Sequence, residues 1–485
     1  MSQQVQPIKA IFLLWLFTVA ATSAQEWVLQ HVKVVDVQTG QLSTGTRDIY
    51  ISQGRILTIA ESGTSLLYSN FKVVEGNGNF VIPGLWDMHA HPDDPELWRM
   101  NPLRPDRDLL LPQFVLQGVT GIRDMAGSLE EVNHWRTAGE QGELLVPKIV
   151  ACGPLLDGPN PMWDGSVGIN DPSMVASVVD SLILNGSDFL KVYSLLPRET
   201  YLELAAYASQ IDFPMVGHVP FDVTPSEAAA TGMSSQEHLL EILKECSSRR
   251  EEIISDKIDY GDLQSGIERY VFRQNLMMDS FDTTKFQLLI KEFIKYGTQV
   301  TPTLSMWYKN AWYEQEYTSD SLWLSYLPEY LRKYWTPEHN DHLKHRDNQD
   351  FIAIKQRLYR FYEYMVAEMN QAGVAILCGT DMGANPLCFP GTGVHNELKA
   401  MVEAGLSPVK ALQTATINPA RFLKLEEDFG TVAAGKVADL VLLDKNPLTD
   451  IENVRTVKSV VQKGVLYDEE TRFRILEEIR KAVQK

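Results

Sequence analysis

Two histidines two positions apart, His89 and His91, close the apolar run Val81-Ile-Pro-Gly-Leu-Trp-Asp-Met-His-Ala-His91. On an extended strand residues i and i+2 share a face, so both imidazoles can reach one cation. A His-x-His pair alone is a weak signal. Its place at the end of an apolar strand, after Pro-Gly, strengthens it. Lys191 lies in Asp188-Phe-Leu-Lys-Val-Tyr193. A lysine inside an apolar strand is costly unless it is paired or its head reaches water. It either faces out toward a helix end or points inward. Inward, and carbamylated by CO2, it would become an anionic oxygen ligand able to bridge two metal ions, with Tyr193 on the same face.

Three more candidates stand at the ends of apolar runs. His218 is in Pro214-Met-Val-Gly-His-Val219, and His238 is in Ser234-Ser-Gln-Glu-His-Leu239. A lone histidine in such a place is more often a satisfied core residue than a ligand, but two at successive strand ends are harder to dismiss. Asp381 closes Val374-Ala-Ile-Leu-Cys-Gly-Thr-Asp381. An acid there needs a partner, and catalysis is one reason to tolerate it. Tyr193 is a candidate substrate contact. His395, in Gly391-Thr-Gly-Val-His-Asn-Glu397, is another, with shaping of its loop as the alternative. Arg123 reads as a brace for its strand. His339, His342 and His345 recur at helical spacing and read as a surface helix face, with a metal contact as the sharper alternative.

These residues need a scaffold that brings strand ends together. The middle of the chain alternates apolar strand-like runs with helical stretches, the pattern of a parallel α/β fold. Candidate strands end near Asp87–His91, Gly118–Asp124, Lys148–Leu155, Asp188–Ser194, Pro214–Val219, Ser234–Leu239, Val300–Leu304 and Val374–Asp381. Eight in succession is what a TIM-like (β/α)8 barrel needs. A helical insert at about 305–370 is rich in Trp and Tyr. It reads either as a hairpin packing its aromatics or as a lid over the site. Residues 25–81 and 430–467 carry short strand-like runs, so both ends are expected to build one small β-sandwich domain beside a barrel over 82–429. The charged tail, 468–485, has helical periodicity.

At 485 residues the chain suits a barrel with an accessory domain. A net charge of −19 argues against nucleic acid or an anionic membrane as partner. Lys9, the apolar run Ala10–Ala21 and the small residues Thr22-Ser23-Ala24 form the pattern of a secretory signal peptide over 1–24. The run is too short for a comfortable membrane span. Export to the periplasm or outside the cell is therefore expected, without stable membrane insertion after cleavage. The four cysteines, Cys152, Cys246, Cys378 and Cys388, lack zinc-ribbon spacing. An exported protein could pair them, in three ways.

Together these residues resemble the amidohydrolase superfamily, and most its imidazolonepropionase-like and Xaa-Pro/Xaa-Arg dipeptidase branch. The resemblance covers nearly the whole chain after residue 24. It rests on Pro-Gly-Leu-x-Asp-x-His-x-His at 83–91, Gly-Val-Thr-Gly-Ile-Arg-Asp at 118–124, the lysine strand, the two later histidines and Gly379-Thr380-Asp381. Ala411-Leu-Gln-Thr-Ala-Thr-Ile-Asn-Pro-Ala420 and Gly430-Thr-Val-Ala-Ala-Gly-Lys-Val-Ala-Asp439 extend it. The resemblance implies two divalent metal ions, zinc by preference. His89, His91 and Asp381 would hold the more buried one, His218 and His238 the other, and Lys191 would bridge them as a carbamate. It implies hydrolysis of a C–N bond in a small substrate such as a dipeptide or N-acyl amino acid, with Asp381 moving the proton.

Alternatives on the same fold are a mononuclear deaminase and a lactonase or phosphotriesterase-like hydrolase. Lys191 and His238 speak against the deaminase. A silent binding protein is disfavoured because every expected ligand position is filled. Oligomeric state is open, a homo-oligomer included.

Overall fold

Both chain ends enter one mixed sheet of nine strands, in a computed structural model that describes residues 26–64, 70–98, 106–255, 257–259, 261 and 263–484. The export segment expected over 1–24 lies outside the described residues. The long strand Trp27–Asp36 organises the sheet. Its first half pairs with Arg47–Ser52 and Lys72–Glu75; its second half runs parallel to Phe80–Pro83. The register shifts between Leu29 and Val32, where His31 takes a φ of 54°. Such a bulge bends a strand and lets this one serve two groups of partners. Phe80–Pro83 then pairs antiparallel with Leu440–Leu443, which leads to Val457–Gln462 and Val465–Tyr467. Trp27, Leu29 and Ile49 from one arm share a core with Leu440, Leu442 and Val461 from the other. The two arms are joined through the first strand, which belongs to both, and they pack against one another over this core.

The parallel strands of the middle form two ladders. Leu85–Ala90, Val119–Asp124 and Lys148–Ala151 make one of three strands. Leu190–Val192, Met215–Gly217, Met233–Glu237 and Gln299–Thr301 lie in another of six, whose far edge adds the short strands Leu156–Asp157 and Val167–Gly168. Every residue of Leu85–Ala90 and Val119–Asp124 is buried, as in parallel sheets covered on both faces.

The segment expected as an eighth strand, 374–381, is no regular strand. It joins the ladders through scattered bonds: Leu377 N donates to Val300 O at 2.9 Å, and Met88 N to Cys378 O at 2.7 Å. On the other flank Asp188 N donates to Ala151 O at 2.8 Å. Regular pairing is lost where the Asp87 carboxylate captures the Thr380 N–H and hydroxyl, at 3.0 and 2.6 Å, and Asp381 turns to a φ of 56°.

The insert holds the helices Leu304–Ala311, Tyr313–Ser319, Ser321–Leu324 and Glu329–Tyr334, followed by turns and the long helix Gln349–Ala372. Tyr313, Tyr326, Tyr330, Tyr334 and Trp335 are buried in the main core. The histidines at 339, 342 and 345 sit in turns, not on a helix. Asn340 is the reason: its side-chain oxygen accepts from His342 N at 2.9 Å, and its amide donates to Ala384 O at 2.9 Å. Such local bonds compete with helix formation. All four cysteines are buried free thiols. The tail forms the helix Glu469–Val483, capped by Asp468.

The insert is pinned at its start by Glu397, a fully buried residue of the helix Thr392–Glu403. Its carboxylate accepts from Leu304 N and Ser305 N at 2.9 and 2.6 Å. Burial pushes this carboxyl up from 4.5 to about 7. A raised carboxyl means that the folded state holds the proton more tightly. Its stabilisation is complete below about pH 4.5 and is lost as pH rises through about 7. The expected contribution is at most about 3 kcal/mol. Urea unfolding across this window should show wild-type stability falling by more than that of Glu397→Gln, whose amide cannot ionise; equal slopes would refute the assignment.

Candidate active site

The six candidate ligands converge on one cavity of about 330 Å³. His89 ends its strand with no exposed surface. Its Nδ1 lies 2.9 Å from Glu237 Oε2. Glu237 also accepts from Arg123 Nη2 at 2.8 and 3.0 Å and contacts the Ser235 hydroxyl. Arg123 is anchored in turn by Nε donation to Met88 O at 2.6 Å. Glu237 is thus the acceptor, so His89 Nδ1 carries the proton and Nε2 faces the cavity as a lone pair. Burial, then the charge of Lys191, holds the pKa of His89 well below its usual value.

Asp381 Oδ1 lies 3.3 Å from His89 Nε2 and 3.2 Å from His91 Nε2, and its Oδ2 lies 3.7 Å from His238 Nε2. Burial alone would raise its carboxyl. The facing His89 and His238 and the hydrogen bond with His91 outweigh this and hold it well below the carboxylate range. Lys191 Nζ is 3.4 Å from His89 Nε2, and burial lowers its pKa. His218 stacks on Tyr193 at 4.4 Å between centroids and meets His238 edge-on at 4.9 Å. His238 Nδ1 bonds the Thr303 hydroxyl at 2.7 Å. Burial lowers the pKa of both His218 and His238.

The backbone is bent to achieve this. His238, Thr303 and Asp381 have φ of 60°, 50° and 56°. Left-handed non-glycine residues cost roughly 1–3 kcal/mol each and collect at functional sites. Close approach is equally specific. A Cβ on Gly379 would stand 2.6 Å from His89 Cβ, so only glycine lets the Asp381 segment press against the first histidine.

The donor set fits a divalent cation. His89 Nε2 is an acceptor 3.3 Å from a carboxylate oxygen, itself an acceptor. Two acceptors in contact are satisfied by a cation between them. His89, His238 and Asp381 present ligand atoms all within 4.8 Å of one another. His91 adds a buried Nδ1 with no partner among the described residues.

Tyr193 lies on the cavity wall, its hydroxyl accepting from Trp163 Nε1 at 2.7 Å. His395 does not reach the cavity. It is buried in the helix Thr392–Glu403, with Nε2 2.9 Å from Gln117 O, so the expected substrate contact is corrected to a packing role. The loop shape explains this: Gly391, at a φ of 76°, sits so close to Gln117 that a Cβ would lie 2.7 Å from its Cβ. The sequence reading missed Glu237, whose only signal was an acid beside His238. It also missed Glu96, which lines the cavity and is contacted by the Tyr334 hydroxyl of the insert. Trp307 and His342 bring the insert onto the same wall.

Residues 360–467 match the family model described as Amidohydrolase family. An adenine deaminase of Desulforamulus reducens is 44% identical over 69 residues, 14% of this chain and 12% of that protein. An imidazolonepropionase of Thermoplasma volcanium is 32% identical over 108 residues, 21% of this chain and 26% of that protein. The chain thus aligns with only a small part of these relatives' lengths. Solved structures extend the likeness in fold to nearly the whole chain. A bottromycin amidohydrolase superposes with a TM-score of 0.69 at 21% identity, over 94% of this chain and 90% of that one. A Xaa-Pro dipeptidase with bound methionine superposes with a TM-score of 0.64 at 20% identity, over 92% and 100%.

Proposed function

We propose that the protein is a metal-dependent hydrolase that cleaves the C–N bond of a small amide, such as a dipeptide or N-acyl amino acid. The observation that carries this is the convergence of four histidines, Lys191 and Asp381 on one cavity wall. His89, His91 and Asp381 would hold one ion, His218 and His238 a second, and Lys191, carbamylated, would join them. The mixed nitrogen and oxygen donors suit zinc. Bound there, the metal ions supply a Lewis acid and a water acidified toward neutrality. The two ladders and the 374–382 segment act in this reading as one (β/α)8 barrel, its site at the strand ends.

The chain's own residues do the rest. Asp381 is ionised and buried, and takes the proton of the attacking water. It returns that proton to the leaving nitrogen. Tyr193, fixed by Trp163, faces the substrate. Glu237 and Arg123 fix the tautomer and aim of His89. Such supporting bonds are worth about 10–100-fold in metal affinity. Glu237→Gln should therefore lose metal to a competing chelator at about 10–100-fold lower chelator concentration. Unchanged chelator resistance would remove Glu237 from this role.

A second reading is a one-metal deaminase on the same fold; the adenine deaminases among the sequence relatives support its reaction type. Metal analysis separates the two: the amide hydrolase needs two equivalents, the deaminase one. A screen of dipeptides and N-acyl amino acids with zinc-loaded enzyme tests the substrate class. Turnover only of adenine, lactones or phosphotriesters would overturn it. Residues 1–24 are proposed to direct export, so the mature chain should begin near Gln25 by N-terminal sequencing.

A further inference from the structure

The active-site cavity does not end at its own walls. Phe221, Leu240 and Glu241 line it and also line a neighbouring groove of about 950 Å³. Phe221 stands at the junction, 47% exposed, on the loop that follows His218. Beyond it the groove is lined by Ile254, 40% exposed, the buried Met277 and the ring of Tyr270. Its charged rim is largely self-paired: Arg198 with Glu227, Lys244 with Glu241, and Arg250 with Glu245 and Glu251. Arg273 is the remaining cation on the wall. The Lys244 ammonium lies 5.2 Å from the centre of the Phe221 ring.

A cavity of about 330 Å³ is at the small end for ligand sites and holds a molecule of dipeptide size. Anything longer must leave it, and the groove adjoins the cavity across Phe221, Leu240 and Glu241. We propose that the groove takes the apolar acyl chain of an N-acylated amino acid whose amide sits in the cavity. This rests on the amide-hydrolase reading above and names its substrate class. The rim cations Arg198, Lys244 and Arg250 are paired, which offers an ionic ligand little, whereas Phe221, Leu240, Ile254 and Met277 give the groove its apolar lining.

The test is a series of N-acyl amino acids from acetyl to octanoyl, alongside tripeptides of matching length, on the metal-loaded full chain. From butanoyl to octanoyl, kcat/KM should rise ~2–4-fold per methylene, the range set by burial of a CH2 group. Ile254→Asp puts a charge on the groove floor at an exposed position. It should cut the octanoyl-to-acetyl ratio of kcat/KM by about 10-fold or more. The ratio is internal, so a partly folded variant does not mimic the result. A flat series with acetyl substrate still hydrolysed overturns the groove and leaves amide hydrolysis standing. Tripeptides preferred over matched acyl chains overturn the apolar occupant. No turnover of any N-acyl amino acid or dipeptide overturns both readings together.

Discussion

Lys191→Met should bind one equivalent of divalent metal where the wild type binds two, and lose hydrolysis by about 10²–10⁴-fold. Lys191 is 2% exposed, and its Nζ sits 3.4 Å from His89 Nε2. Burial lowers its pKa, and a neutral amine is the form that adds CO2. Methionine keeps most of the side-chain volume and removes the buried polar head, so the variant should fold at least as stably as the parent. Loss of metal can then be separated from loss of fold. Elemental analysis with a thermal melt decides the matter. Two equivalents retained in a folded Lys191→Met protein would exclude the bridge.

Asp381→Asn should lower kcat by about 10²–10⁴-fold, the range for a positioned acid–base group. Asparagine tolerates the left-handed backbone that this position requires, at a φ of 56°. The substitution therefore removes a charge and a proton acceptor without disturbing the turn. Asp381 is held well below the carboxylate range, so protonation of this residue should not set an acid limb in the rate above pH 5. A kcat within tenfold of wild type would show that the proton travels by another route.

The six residues that converge on the cavity were legible because each stands in or at the end of an apolar run, and a polar group there has few reasons to exist. The strands were legible from the same runs: Leu85–Ala90 and Val119–Asp124 are buried throughout. The segment 374–381 misled, because an apolar run records burial but not ladder geometry. Its pairing is broken by the Asp87 carboxylate, nearly three hundred positions earlier in the chain. His395 misled for a related reason. Proximity in sequence to Asp381 says nothing about which way a helix turns its face, and Gln117 O decided that. Glu237 was invisible because its partners, Arg123 and His89, come from other strands. The insert served both readings offered for it: most of its aromatics are core, while Trp307 and His342 reach the cavity.

The pairing of Phe80–Pro83 with Leu440–Leu443 has a consequence for how the chain is made. The two strands are separated by the entire catalytic region, so their contact is among the most remote in sequence. Remote contacts form late, because closing a long loop costs entropy before it returns any stabilisation. During synthesis the early strands cannot complete their sheet until Leu440–Leu443 has left the ribosome. Until then Phe80–Pro83 presents an open, apolar edge. A chain shortened before Leu440 should therefore aggregate rather than yield a stable fold, with Leu440–Leu443 and the strands after it acting as the latch.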